Sequence, residues 1–103
     1  MKPAFLPLNT EFYNAFKAGL KVDEYRLKIG RFREKNFLPG RRIILSKGYG
    51  KKDRIEGVIE TCFVINLDEL PEKDQKDVLA CYGDKAIGHK ILVIRINIDG
   101  VNA

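Results

Sequence analysis

The sequence predicts an α+β domain in which a few long strands curl into a small barrel. Three observations carry that prediction. Aliphatic and β-branched runs outnumber amphipathic helical stretches, in the order helix, several strands, helix, strand. One strand-like run, residues 54–67, is long for a straight strand. The 103 residues, 45% of them hydrophobic, suffice for one core and not for two, so residues 1–103 are expected to form one domain.

The elements follow in chain order. Asn9 or Thr10 caps a first helix, with Glu11 near its positive end. Phe12, Ala15, Phe16 and Leu20 make its apolar stripe, and Gly19 supplies the stop. Val22 to Leu27 reads as a strand, in which Glu24 and Arg26 point to one face. Residues 28–38 are basic with Phe32 and Phe37 interleaved, and fit a loop or a short helix. Pro39-Gly40 marks a turn before the strand Arg41–Ser46. Gly48-Tyr49-Gly50-Lys51-Lys52-Asp53 is a turn with a basic rim. In the long strand that follows, Gly57 is expected to mark a bulge or bend. Asp68 and Pro71 open a second helix that runs toward Tyr82 and closes at Gly83. Residues 89–98 form the closing strand, with Leu92, Ile94, Ile96 and Ile98 on one face and Ile91, Val93, Arg95 and Asn97 on the other.

Charge is distributed unevenly along the chain. Residues 1–54 hold fourteen Lys and Arg against five Asp and Glu, whereas residues 55–103 hold five against nine. A basic half suggests a polyanionic partner, RNA or a nucleotide; the bland alternative is a solvated cationic surface or an acidic protein partner. No apolar run is long enough to cross a membrane, and the first five residues lack the apolar stretch of a signal peptide. These features predict an intracellular, cytoplasmic protein without membrane attachment. Cys62 and Cys81 lack Cys-x-x-Cys spacing and His89 is the sole histidine, so two buried, reduced thiols are expected and no metal site. The phosphate-loop pattern is absent, and no cofactor is expected. Ser46 has no obvious base near it in sequence, so a nucleophilic triad with His89 would rest only on there being one serine and one histidine, and it is discounted.

The densest chemistry lies at Gly19, Lys21, Glu24 and Arg26. An acid between two cations at the mouth of a strand suits a polar ligand with a phosphate and hydrogen-bonding base edges. Lys21 is placed to contact a phosphate or, if desolvated, to act as a base. Glu24 is placed to accept from a base edge or to take up a proton. Arg26 is the best anion anchor, because its planar fork grips phosphate bidentately. An internal ion pair of Glu24 with Arg26 or Lys21 accounts for the same residues without a ligand. Tyr49 offers a ring for stacking, with Lys47, Lys51 and Lys52 tracking a nucleic-acid backbone; a plain hairpin turn is the alternative. Arg31, Arg33, Lys35, Arg41 and Arg42 read as a diffuse electrostatic surface.

The gapless pattern Gly19-x-Lys21-x-x-Glu24-x-Arg26 resembles the signature of the ASCH domain, a relative of the PUA domain. Glu24-Tyr25-Arg26, the basic aromatic stretch behind it, and Gly48-Tyr49-Gly50 are similar to one ASCH subgroup, so the resemblance covers nearly the whole chain. It implies a small PUA-like β-barrel of about five to six strands flanked by two or three short helices. It also implies a motif-lined cleft beside the barrel, with RNA or a nucleotide as ligand. Some ASCH proteins hydrolyse an acyl group from a modified cytidine, and others are linked to RNA cleavage. A hydrolase with Lys21 and Glu24 as its acid–base pair is therefore the alternative function. The cytidine amidohydrolases carry threonine where this chain has Glu24, and share the lysine of Lys21.

Overall fold

Five strands build a single curled sheet: β1 (Ala4–Leu8), β2 (Asp23–Leu27), β3 (Arg42–Lys47), β4 (Arg54–Ile65) and β5 (Ile91–Ile98). Their spatial order is β1-β3-β4-β5-β2, with β1 parallel to β3 and every other pairing antiparallel. Helix α1 (Thr10–Lys17) follows β1, and helix α2 (Glu72–Tyr82) precedes β5. Short 3₁₀ segments lie at Glu34–Asn36, Leu67–Glu69 and Gly83–Ala86. The computed structural model describes residues 1–101. The α+β half-barrel flanked by short helices is the architecture expected from the sequence.

Alternation along β5 creates two cores. Leu92, Ile94, Ile96 and Ile98 face the concave side, where they meet Leu6, Ile43, Leu45 and the Tyr13 and Phe16 rings of α1. Ile91 and Val93 face the convex side and pack with Leu27, Leu70, Val78 and Ala86 under α2. Fully burying each such side chain contributes about 1.5–3 kcal/mol, which makes β5 the central pillar. Asn9 caps α1 by accepting from the Phe12 backbone N–H at 2.7 Å, and Gly19, at φ 77°, ends the segment as expected.

Four sequence expectations change. Leu20, expected in the apolar stripe of the first helix, lies beyond its end and is exposed, and Cys81, expected buried, is exposed as well. The other two concern β1 and Gly57. The N-terminal strand β1 was not foreseen, because its five residues contain Pro7 and follow Pro3. Leu8 turns its carbonyl toward β3, accepting from Gly48 N–H at 2.8 Å. Strand geometry therefore turns Pro7 to the free edge, where a missing N–H costs no ladder bond. The bulge in β4 sits at Glu60, where the register with β5 slips between Ile59 and Thr61. Gly57 instead pairs regularly with Ile43 and Ile98. Its role is close approach: a Cβ there would lie 2.3 Å from the Asn97 carbonyl oxygen.

Candidate functional site

The sheet order leaves β1 and β2 as the two edges, and curling brings them face to face. No backbone ladder closes this seam; a side chain does. On β2, Glu24 pairs with Ile94 and Arg26 with Leu92, so both project to the concave side. The Arg26 guanidinium then crosses the seam, and its Nη2 donates to the Pro7 carbonyl of β1 at 2.7 Å. That carbonyl is on the free edge for the reason that makes Pro7 tolerable. A charge-assisted bond to it contributes about 1.5–3 kcal/mol.

Glu24 is the centre of the cluster, with only 4% of its surface exposed. Its Oε2 accepts from Arg26 Nη2 at 2.9 Å and Nε at 3.2 Å, and its Oε1 accepts from the Tyr25 backbone N–H at 3.2 Å. Lys21 Nζ approaches Oε1 to 3.8 Å, beyond hydrogen-bond distance. The lysine is held by rings instead. Nζ lies 4.9 Å from the Phe12 centroid, 5.5 Å from Phe16 and 5.0 Å from Tyr25. Its side chain is 17% exposed, yet its ammonium makes no hydrogen bond among the described residues. Three donors therefore remain for a guest.

Space for that guest lies directly beside the cluster. A cavity of about 200 Å³ is walled by Pro7, Leu8, Asn9 and Phe12 on one side and by Asp77, Val78, Cys81 and Tyr82 of α2 on the other. Lys21, Glu24, Tyr25 and Arg26 complete it. An apolar cavity of about 150 Å³ admits benzene, so this volume accommodates one substituted ring. The wall pairs two cations, Lys21 and Arg26, with two carboxylates, Glu24 and Asp77, among aromatic rings, and its one thiol is a poor nucleophile. Partial desolvation at the pocket rim, reinforced by the Glu24 and Asp77 carboxylates, pushes the exposed Cys81 thiol up and keeps it protonated at neutral pH. Burial likewise raises Tyr82. Burial also holds the Tyr25 phenol above its ordinary range, with Asp74, which accepts from its hydroxyl at 3.1 Å, adding to the shift.

The structure thus brings Lys21, Glu24 and Arg26 together, and an internal ion pair and an adjoining cavity coexist there. It sets the other candidates outside the pocket wall. Lys47 ends β3 with Nζ 5.4 Å from the Tyr13 ring. Tyr49, 84% exposed, and the exposed Lys51 and Lys52 occupy the following turn. Ser46 is buried and fastens that turn by donating to the Gly50 carbonyl at 2.9 Å. His89 lies 2.7 Å from the Lys85 carbonyl, at the base of β5 and outside the pocket. Sequence reasoning missed Pro7, Phe12, Tyr82 and Asp77 as wall residues. Phe12 carried a signal, since it shares a helical face with Phe16 one turn from the Lys21 end; the α2 residues carried none.

At the level of sequence, no family model and no curated protein matches this chain. Solved structures do. The hypothetical protein PH0355 superposes with a TM-score of 0.70 at 19% identity, covering 94% of this chain and 99% of its own. The ASCH protein of Zymomonas mobilis superposes with a TM-score of 0.64 at 20% identity, over 93% of this chain and 67% of its own. A tyrosine-to-phenylalanine variant of that protein gives 0.66 at 18% identity, over 94% and 70%. The chain has the fold that ASCH proteins share.

Proposed function

We propose that this chain is an ASCH domain that binds RNA or a nucleotide through the pocket at Lys21, Glu24 and Arg26. The observation that carries this reading is the Lys21 ammonium. It is ringed by three aromatic faces, faces an open ring-sized cavity, and lacks a hydrogen-bond acceptor among the described residues. A base carbonyl or a phosphate oxygen satisfies it. Arg26 and Glu24 supply the polar floor, and the Phe12, Tyr25 and Tyr82 side chains supply flat walls for a base. Lys47, Lys51, Lys52 and Tyr49 stand next to the Leu8 side of the pocket, where a strand leaving it passes.

Fluorescence anisotropy with short single-stranded RNA at low salt tests this. Lys21→Met keeps the apolar stem and removes the donors. A loss of about tenfold in affinity is expected, the worth of a charged hydrogen bond. Affinity equal to wild type would sink the site.

One observation favours a second reading. Lys21 and Glu24 stand 3.8 Å apart in the same pocket, so that a substrate group or one water lying between them reaches both for proton transfer in hydrolysis of a modified nucleoside or of RNA. Turnover of an acylated nucleoside or labelled RNA, lost in both Lys21→Met and Glu24→Gln, would establish it. Absence of turnover across such a panel leaves the binder.

A further inference from the structure

The seam that carries the pocket continues along β1 as a second, wholly cationic groove. Phe5 and Pro7 are two residues apart on the free edge, so their carbonyls project the same way, roughly 6–7 Å apart along the strand. Arg26 takes the Pro7 carbonyl and Arg31 takes the Phe5 carbonyl, at 2.9 Å. The Phe32 ring lies against both guanidiniums, 5.2 Å from that of Arg26 and 4.6 Å from that of Arg31. Phe32 is itself stacked on the buried Phe37 at 5.9 Å, which makes the platform rigid. Beyond Arg31 a depression of about 360 Å³ opens, bounded by Pro3, Phe5, Asn36 and Arg41.

The two arginines differ in one respect. Arg26 is neutralised by Glu24. Arg31 has a single hydrogen bond, to a neutral carbonyl, and no carboxylate within salt-bridge distance among the described residues. Arg31 is exposed, and partial desolvation together with the repulsion of Arg26 weakens its hold on its proton; an anion beside it offsets that repulsion. Arg41 adds a second uncompensated charge, since its donors go to the carbonyls of Lys2 and Asn36. The opposite wall of the pocket carries Asp77, which repels phosphate. Charge therefore orients a guest: ring inward, phosphate outward past Pro7 toward Arg31.

Resting on the RNA-binding reading of the pocket, the geometry points to a phosphodiester subsite in the groove of Phe5, Arg31 and Arg41, which makes the preferred ligand a single-stranded oligonucleotide and not a free nucleoside. Arg31 supplies the fork for the phosphate, and Phe32 holds that fork in place from behind.

The test titrates wild type, Arg31→Gln and Arg31→Lys with mixed-sequence short single-stranded RNA across a range of salt concentrations, and with the four common nucleosides as competitors. Thermal midpoints confirm that each variant is folded. Arg31→Gln is expected to lose about tenfold in RNA affinity, with the slope of log K against log salt reduced by about 0.7 for the one lost phosphate contact. Its nucleoside affinity stays at the wild-type value, and Arg31→Lys keeps the wild-type salt slope. RNA affinity and slope unchanged in Arg31→Gln, while Lys21→Met still weakens binding, would overturn the subsite and leave the pocket standing. Equal losses on RNA and nucleosides would also overturn it, because Arg31 would then act on the pocket itself. If wild type binds neither RNA nor nucleoside, the pocket reading falls and takes the subsite with it.

Discussion

Asp23 and Glu24 are adjacent carboxylates on β2, each paired with an arginine, and the pleat sends them to opposite faces. Asp23 faces the convex side and meets Arg95 of β5 at 2.9 Å and 3.0 Å, with the two side chains 20% and 49% exposed. Glu24 faces the concave side and meets Arg26, with side chains 5% and 14% exposed. The bond lengths are alike; the surroundings differ. The outer pair pins two neighbouring strands in water. The inner pair replaces the missing ladder between β1 and β2 and leaves a lysine over aromatic rings with donors unused. Desolvation, not contact distance, separates the surface pin from the buried cluster beside the cavity.

Four outcomes break or sharpen this contrast. The largest is expected for Glu24→Ala, which strands Arg26 and Lys21 together in a mostly buried site. Urea unfolding should show a loss of about 3–5 kcal/mol, and a loss below about 1 kcal/mol would show the inner pair to be no different from the outer one. Arg26→Met comes next. It leaves the Pro7 carbonyl without its donor and Glu24 with Lys21 alone, for an expected cost of about 2–3 kcal/mol in the same assay. Asp23→Ala should cost less than about 1 kcal/mol and lose even that in high salt, because the outer pair is screened.

The fourth outcome concerns a thiol. Burial, helped by Glu34, pushes Cys62 up to about 11 from 9.0. Between those values the unfolded thiol ionises first, so the unfolded state holds fewer protons and stability falls as pH rises through the window. Below 9.0 both states keep the proton and the contribution is fully present. Alkylation of native Cys62 should run about tenfold slower than in urea, since the thiolate fraction drops about a hundredfold and higher basicity recovers part of it. Equal rates would show the strand to be open to solvent.

Much of this site was legible because it is local. Gly19 ends a helix, and the next residues alternate, so the shared face of Glu24 and Arg26 followed from the period of a strand. The same alternation along 91–98 gave both faces of β5. What failed depends on contacts distant in sequence. Strand β1 hides behind two prolines, and only its place at the sheet edge makes Pro7 acceptable. The glycine at 57 signalled something unusual about the backbone, but whether a bulge or a close approach is decided by Asn97, forty residues away. Asp77, Cys81 and Tyr82 reach the pocket because α2 folds back over the seam, and the spacing within α2 says nothing of that. The turn at Gly48–Asp53 shows the converse: its lysines were as conspicuous as Lys21, yet Lys51, Lys52 and the adjacent Asp53 are all exposed and form no ion pair among the described residues.

The decisive measurement is a two-dimensional amide NMR titration of the labelled protein with short single-stranded RNA. Shifts concentrated on Leu8, Phe12, Lys21, Tyr25, Arg26 and Tyr82, with weaker ones continuing to Phe5 and Arg31, are the expected result. Shifts confined to Lys51 and Lys52 with the seam unmoved, or none at saturating RNA, would contradict a ligand pocket between the sheet's two edges.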